Sequence, residues 1–175
     1  YDPGKAEFTN HLMFMVYDQR TAEAFAGNFP IPVTPGSDAY TVSGAGVAEL
    51  SGKLTERLAA ISGDTGGVVL DGGFETALGE TIQRFNSNAV EGRDPDFSRG
   101  ASDNDTAWHG AFSPMRQDTD WPANPYPNLV LHPLDTSGPL YAIILTSGTL
   151  DTNGGPVVNQ HAQIMNGSDV PVEGL

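Results

Sequence analysis

The strongest constraint in this sequence is periodic. Val47, Leu50, Leu54, Leu58 and Ile61 recur at intervals of three and four, with Lys53, Glu56 and Arg57 on the opposite side. A helix over roughly 45–60 therefore has one apolar face that must be covered, and Ser43 stands where its N-cap belongs. The same spacing returns in Phe74, Leu78, Ile82, Phe85 and Ala89, which predicts a second helix over 74–89 with Phe85 buried and Arg84 exposed or paired. Helices of this kind need a second layer. Two compact apolar runs can supply it: residues 11–18, ending on Asp18, and residues 140–145, LYAIIL, both of strand length and content. A short helix is predicted over 19–26, stopped by Gly27 and Asn28. The reading is α+β, with two helices on a small sheet that includes 11–18.

Much of the remainder is connection. The chain has 21 glycines and 13 prolines, and Pro30, Pro32, Pro35 and Gly36 make 29–39 a loop, because proline removes backbone donors. Residues 62–67 form another. From 92 to 134 periodicity disappears, which predicts a long irregular stretch of the sort usually kept for function or held by a neighbour. Residues 157–165 with the 166–169 turn suggest a hairpin. An unpaired edge along 140–147 or 157–165 would invite self-association.

Charge excludes several roles. The net charge is −14 with a pI near 4.3, and Lys5 and Lys53 are the only lysines. A basic phosphate-binding face is absent, and with it nucleic-acid and anionic-membrane partners. Without cysteine there is no disulfide, thiolate metal site or cysteine nucleophile. The longest apolar run, 12–17, is too short to span a bilayer. No secretory signal pattern is present, so the expected location is cytoplasmic.

Several strings imitate active sites. Residues 63–67, GDTGG, look like a protease nucleophile loop with Thr for Ser, but a triad is defined by geometry. Gly44-Ala45-Gly46 before a helix lacks the third glycine of a dinucleotide loop and is read as a cap region. His11, His109, His132 and His161 share no ligand spacing, so no metal is expected. Trp108 and Trp121 either pin the irregular stretch to a core or form a substrate-facing wall. Asn104-Asp105-Thr106 and Asn166-Gly167-Ser168 match a glycosylation pattern that matters only in a secreted eukaryotic chain.

The C-terminal third carries a more specific signal. Gly138-Pro139-Leu140-Tyr141-Ala142, Gly148-Thr149-Leu150-Asp151-Thr152-Asn153-Gly154-Gly155, Asn159-Gln160-His161-Ala162-Gln163-Ile164 and Val170-Pro171-Val172-Glu173-Gly174-Leu175 follow one another in order. Upstream stand Glu80-Thr81-Ile82-Gln83-Arg84-Phe85-Asn86 and Gly92-Arg93-Asp94-Pro95-Asp96-Phe97-Ser98-Arg99-Gly100, and before them Val16-Tyr17-Asp18-Gln19-Arg20. Together they resemble the cap domain and closing passage of the 3-ketosteroid dehydrogenase and fumarate reductase flavoproteins.

The resemblance implies a fragment. Residues 1–136 would be cap and 137–175 a segment re-entering an FAD domain whose glycine fingerprint this sequence lacks. The partner would be that FAD domain, the cofactor FAD, and the isolated chain flavin-free and inactive. Thr152, Asn153, Gly154 and Gly155 would lie at the flavin, and Tyr1 would match the tyrosine that removes a substrate proton. Fumarate reductases place His-His before T-x-G-G, whereas Leu150-Asp151 stands here, and an Asp repels a dicarboxylate. The resemblance thus implies a small apolar, steroid-like substrate, dehydrogenated or reduced at a carbon–carbon bond beside a carbonyl. The departures, Asp151 for Gly and Val170-Pro171-Val172-Glu173 for Pro-Ile-Pro-Gly, bear on the substrate. The competing readings are a dicarboxylate enzyme and a non-catalytic α+β binding domain.

Overall fold

The computed structural model describes residues 3–4, 10–111, 124–148 and 154–173. Residues 1–145 and 146–175 form two compact units. In the first, the elements run β1 (Leu12–Asp18), α1 (Gln19–Ala24), β2 (Thr41–Gly44), α2 (Val47–Ala60), α3 (Phe74–Glu91), α4 (Asp103–Ala111) and β3 (Leu140–Thr146). The three strands form one sheet in the order β1-β3-β2. β2 and β3 are antiparallel, with Thr41 opposite Ile143 and Gly44 opposite Leu140.

Alternation explains the layers. Successive strand side chains point to opposite faces, so Leu140, Ala142 and Ile144 join Phe14 and Val16 on one side. Leu50 and Leu54 of α2 and Ile82 of α3 cover them there. Tyr141, Ile143 and Leu145 fall on the other side with Met15 and Tyr17, under Ala22 of α1, Phe25 and Ile31. A central strand covered on both faces reads as a continuous apolar run, which is what LYAIIL is.

β3 thereby corrects one expectation. β1 takes one side of it and β2 pairs with Leu140–Ile143 on the other, so that part of the strand offers no free edge for self-association. Residues 140–145 of the strand lie in the first compact unit.

β2 was missed, and its presence moves the helix cap. Ser43 lies in the strand, and the N-cap of α2 is Gly46, with no side-chain cap. Glu49 reaches back past the N-cap to accept from Ala45 N at 2.8 Å. α2 then passes so close to β2 that a Cβ on Gly44 would lie 2.4 Å from Leu50 N. Glycine is required there by approach, since no other residue leaves the space.

Two further corrections concern the second half. α4 occupies part of the stretch predicted irregular. Its first turn is held by Ser102 Oγ accepting from Asp105 N at 3.2 Å, and its described side chains are mostly exposed. Phe85 is half-buried rather than buried; Ile82 and Ala89 are the buried residues of α3. Arg84 is exposed and paired, as expected.

The second unit is a small antiparallel meander. Val158 opposes Ile164, and Met165 opposes Pro171. The 166–169 turn closes with Asp169 N donating to Asn166 O at 3.1 Å.

Candidate functional site

The two upstream motifs meet in space. α3 ends at Gly92, whose φ of +74° is left-handed, and Arg93 N donates back to Asn88 O at 3.1 Å. A Cβ on Gly92 would also meet Pro127 at 2.6 Å. The chain then turns around Asp94, whose side chain is 1% exposed. Asp94 Oδ1 accepts from Asp96 N at 3.2 Å and Phe97 N at 3.3 Å, and Oδ2 accepts from Arg99 Nε. The Arg99 guanidinium holds the Asp94 carboxyl below its ordinary range, against the opposing effect of burial.

Arg99 is the hub of this turn. Its guanidinium lies 5.2 Å from the ring centroids of both Phe85 and Phe97, within cation–π reach. Arg84 Nε meets Asp96 Oδ2 at 3.0 Å, tying the helix to the loop a second time. Below, the Asn128 amide fills the space beside Gly100 and donates to Arg99 O at 2.9 Å. Asn86 pairs with Leu134 in both directions, accepting from Leu134 N at 2.8 Å and donating to Leu134 O at 2.9 Å.

These contacts frame a groove of about 360 Å³. Phe14, Val16, Ile82 and Leu134 line it, with Phe85 and Phe97 alongside the two arginines. Its chemistry is that of apolar binding with a few polar groups, the usual make-up of a small-molecule site. Each arginine there is balanced by a carboxylate. A second groove of about 600 Å³ runs between Val47, Ile82, Asn86 and Val90.

On the opposite sheet face Tyr17 and Tyr141 stack at 5.5 Å and 17°. Burial raises both phenol pKa values, so both are neutral near pH 7. Tyr141 donates to Gln19 Oε1 at 2.5 Å. The Tyr17 hydroxyl is buried with no well-formed hydrogen bond among the described residues; the Thr41 hydroxyl moderates its shift but donates its own proton to Asp38 Oδ2. No group of His, Asp and Glu among the described residues could hold a metal.

Of the residues expected at a flavin, Gly154 and Gly155 are described. Their φ values are +101° and +117°, a region L side chains rarely adopt, and a Cβ on either would meet nothing within 4 Å. Tyr1, Thr152 and Asn153 lie outside the described residues, as does Trp121. Trp108 is 56% exposed on α4. The structural role of Asp94 and Arg99 was the feature sequence reasoning missed. Its signal was present in the G-R-D-P-D-F-S-R-G string, where a cation follows two acids within five residues.

Comparison with known proteins agrees with this architecture. The profile of the FAD binding domain family matches residues 14–175. The chain belongs to that family. FAD is the family's cofactor, and the flavoprotein dehydrogenases are its relatives here. The chain is 32% identical over 161 residues to 4-oxocyclohexanecarboxylate 2-dehydrogenase of Sinomonas cyclohexanicum, covering 92% of this chain and 23% of that protein. The structure of 3-ketosteroid delta1-dehydrogenase from Sterolibacterium denitrificans, in complex with 1,4-androstadiene-3,17-dione, matches with a TM-score of 0.53 and 19% identity. That match covers 92% of this chain and 25% of the other, and it establishes a shared fold. The chain spans about a quarter of the length of each relative. No helix among the described residues is long and apolar enough to cross a membrane.

Proposed function

We propose that this chain is the cap of a longer FAD-dependent dehydrogenase, together with a segment that returns to its FAD domain. Residues 1–136 would be the cap and residues 137–175 the segment that re-enters the FAD domain. The protein would act in the cytoplasm on a ring ketone, at the carbon–carbon bond beside the carbonyl. Supporting that substrate class, the names of both relatives specify ring ketones, and apolar side chains line the first unit's groove.

The observation carrying the site is the pair of consecutive glycines at positive φ with open space above them. A planar ring needs backbone it can approach without Cβ atoms, and amide N–H groups that can face a carbonyl or an anionic ring. Gly154 and Gly155 fit that requirement, with Thr152 and Asn153 beside them. FAD, when bound, supplies the hydride acceptor. Tyr1 would take the proton from the carbon next to the carbonyl, and the apolar cap would exclude water from the reacting bond.

The test uses the full-length protein. It should carry flavin after desalting, with an absorbance band at roughly 450 nm that belongs to the cofactor, and should dehydrogenate cyclohexanone or 3-ketosteroid substrates with an artificial electron acceptor. A full-length protein without flavin would remove the enzyme reading and favour a binding domain. The 175-residue chain alone, lacking a G-x-G-x-x-G loop, should be colourless.

A further inference from the structure

In the first unit's groove, charge balance and hydrogen-bonding capacity are not the same thing. Arg84, Arg99 and Asp96 line it, whereas Asp94, the partner of Arg99, does not. Two of the chain's eight basic residues thus meet on one groove of a protein whose net charge is −14. In both ion pairs the nitrogen nearest the acid is Nε. A guanidinium carries five N–H donors, and a pair met through Nε takes one side of that fork. The two-pronged end, the part that fits a further carboxylate, is left over. The side chains of Arg84 and Arg99 are 63% and 44% exposed, which puts those ends within reach of a ligand.

These donors decide what can sit there. A neutral apolar molecule laid on Phe85 and Phe97 would take water from both guanidinium groups and return no hydrogen bond. An apolar molecule with a carboxylate covers the same rings and replaces that water with charge-assisted hydrogen bonds. The acidity of the rest of the chain opposes an anion only weakly, because exposed charges farther off than about 10 Å are screened at 0.1 M salt. Space allows it: a groove of about 360 Å³ falls within the range of small-molecule sites.

We infer that this groove binds an apolar ring compound bearing one carboxylate. The ring lies against Phe85 and Phe97, and the carboxylate is met by the guanidinium groups of Arg84 and Arg99. Asp96 is then a competitor, since its Oδ2 already holds Arg84 Nε at 3.0 Å. Taken with the ring-ketone reading, on which its role as substrate rests, this ligand carries a carboxylate besides its ketone, in place of a wholly apolar, steroid-like body.

Titration calorimetry on the full-length protein, with 2-naphthoate and its uncharged amide 2-naphthamide, tests this. The naphthoate should bind at least about tenfold more tightly than the amide, and Arg84→Gln should remove about tenfold of its affinity. Asp96→Asn should do the opposite and tighten naphthoate about threefold, a gain that misfolding cannot produce. Arg93→Gln removes a cation that pairs with Glu91 and does not line the groove, and it should change nothing. Equal binding of the two probes would overturn the inference, as would no binding of either, or a loss in Arg93→Gln as large as in Arg84→Gln. A weaker naphthoate complex in Asp96→Asn would also overturn it. Flavin content and turnover are read separately. A flavin-free protein that discriminates the probes as described would defeat the enzyme proposal and leave this site standing. A flavin-loaded, active protein that does not discriminate them would do the reverse.

Discussion

Asp18 and Asp135 are 117 residues apart and joined by one hydrogen bond, Asp135 N to Asp18 Oδ2 at 2.8 Å. The other carboxylate oxygen, Oδ1, accepts from Thr21 N at 2.8 Å and caps α1. One side chain, 1% exposed, thus starts a helix and fixes the strap that leads into β3. Asp18→Ala should cost about 1–3 kcal/mol, the sum of a lost cap and a lost part-buried hydrogen bond. Urea denaturation measures this, and a loss below about 0.5 kcal/mol would show that the strap is held elsewhere.

Gly44 and Gly46 make opposite predictions two residues apart. At Gly44 a Cβ would lie 2.4 Å from Leu50 N, while at Gly46 it would meet nothing within 4 Å. Gly46 is extended, at φ −178°, a conformation any residue adopts. Gly44→Ala should therefore cost about 1–3 kcal/mol by forcing α2 from the sheet, and Gly46→Ala should be close to neutral. Equal melting temperatures for the two variants would contradict the packing of α2 on β2.

The periodic parts of this fold were legible and the contextual parts were not. α2 and α3 announce themselves because their buried residues repeat at helical spacing, and β3 because it is apolar on both faces. Thr41–Gly44 gives no such signal: four residues, one aliphatic side chain and a glycine become a strand only because β3 lies beside them. α4 was invisible for the converse reason, having mostly exposed side chains and so no apolar stripe. Phe85 shows the limit of a helical wheel. The wheel gives the face, whereas depth depends on what covers it, and beside Phe85 lies a groove with the Arg99 guanidinium over the ring. The glycine pair was singled out through resemblance alone. The Asp94–Arg99 turn depends on side-chain direction, which spacing does not encode.

The Asp94–Arg99 pair sets an acid limb. Asp94 has its carboxyl lowered below 3.8 by Arg99, offset in part by burial. A depressed carboxylate contributes stability that is complete above its unfolded pKa and is lost as pH falls through its folded pKa. Melting temperature should therefore be flat in this contribution above about pH 5 and fall below about pH 4. Arg99→Met should lower stability at pH 7 and flatten the acid limb. An unchanged slope between pH 5 and pH 2.5 would show that Asp94 is not held by Arg99.

The central claim is that Gly154 and Gly155 lie at the flavin of a longer dehydrogenase, and Gly154→Val in the full-length protein tests it. At φ +101° with open space above it, a valine there would project into the region assigned to the ring and adopt a strained backbone. Flavin content, melting temperature and turnover are measured together, with His161→Ala as the comparison. The account predicts a folded Gly154→Val protein whose flavin occupancy or turnover falls more than tenfold, equivalent to at least about 1.4 kcal/mol, while His161→Ala changes little. A folded, fully flavinated and fully active Gly154→Val protein would contradict it.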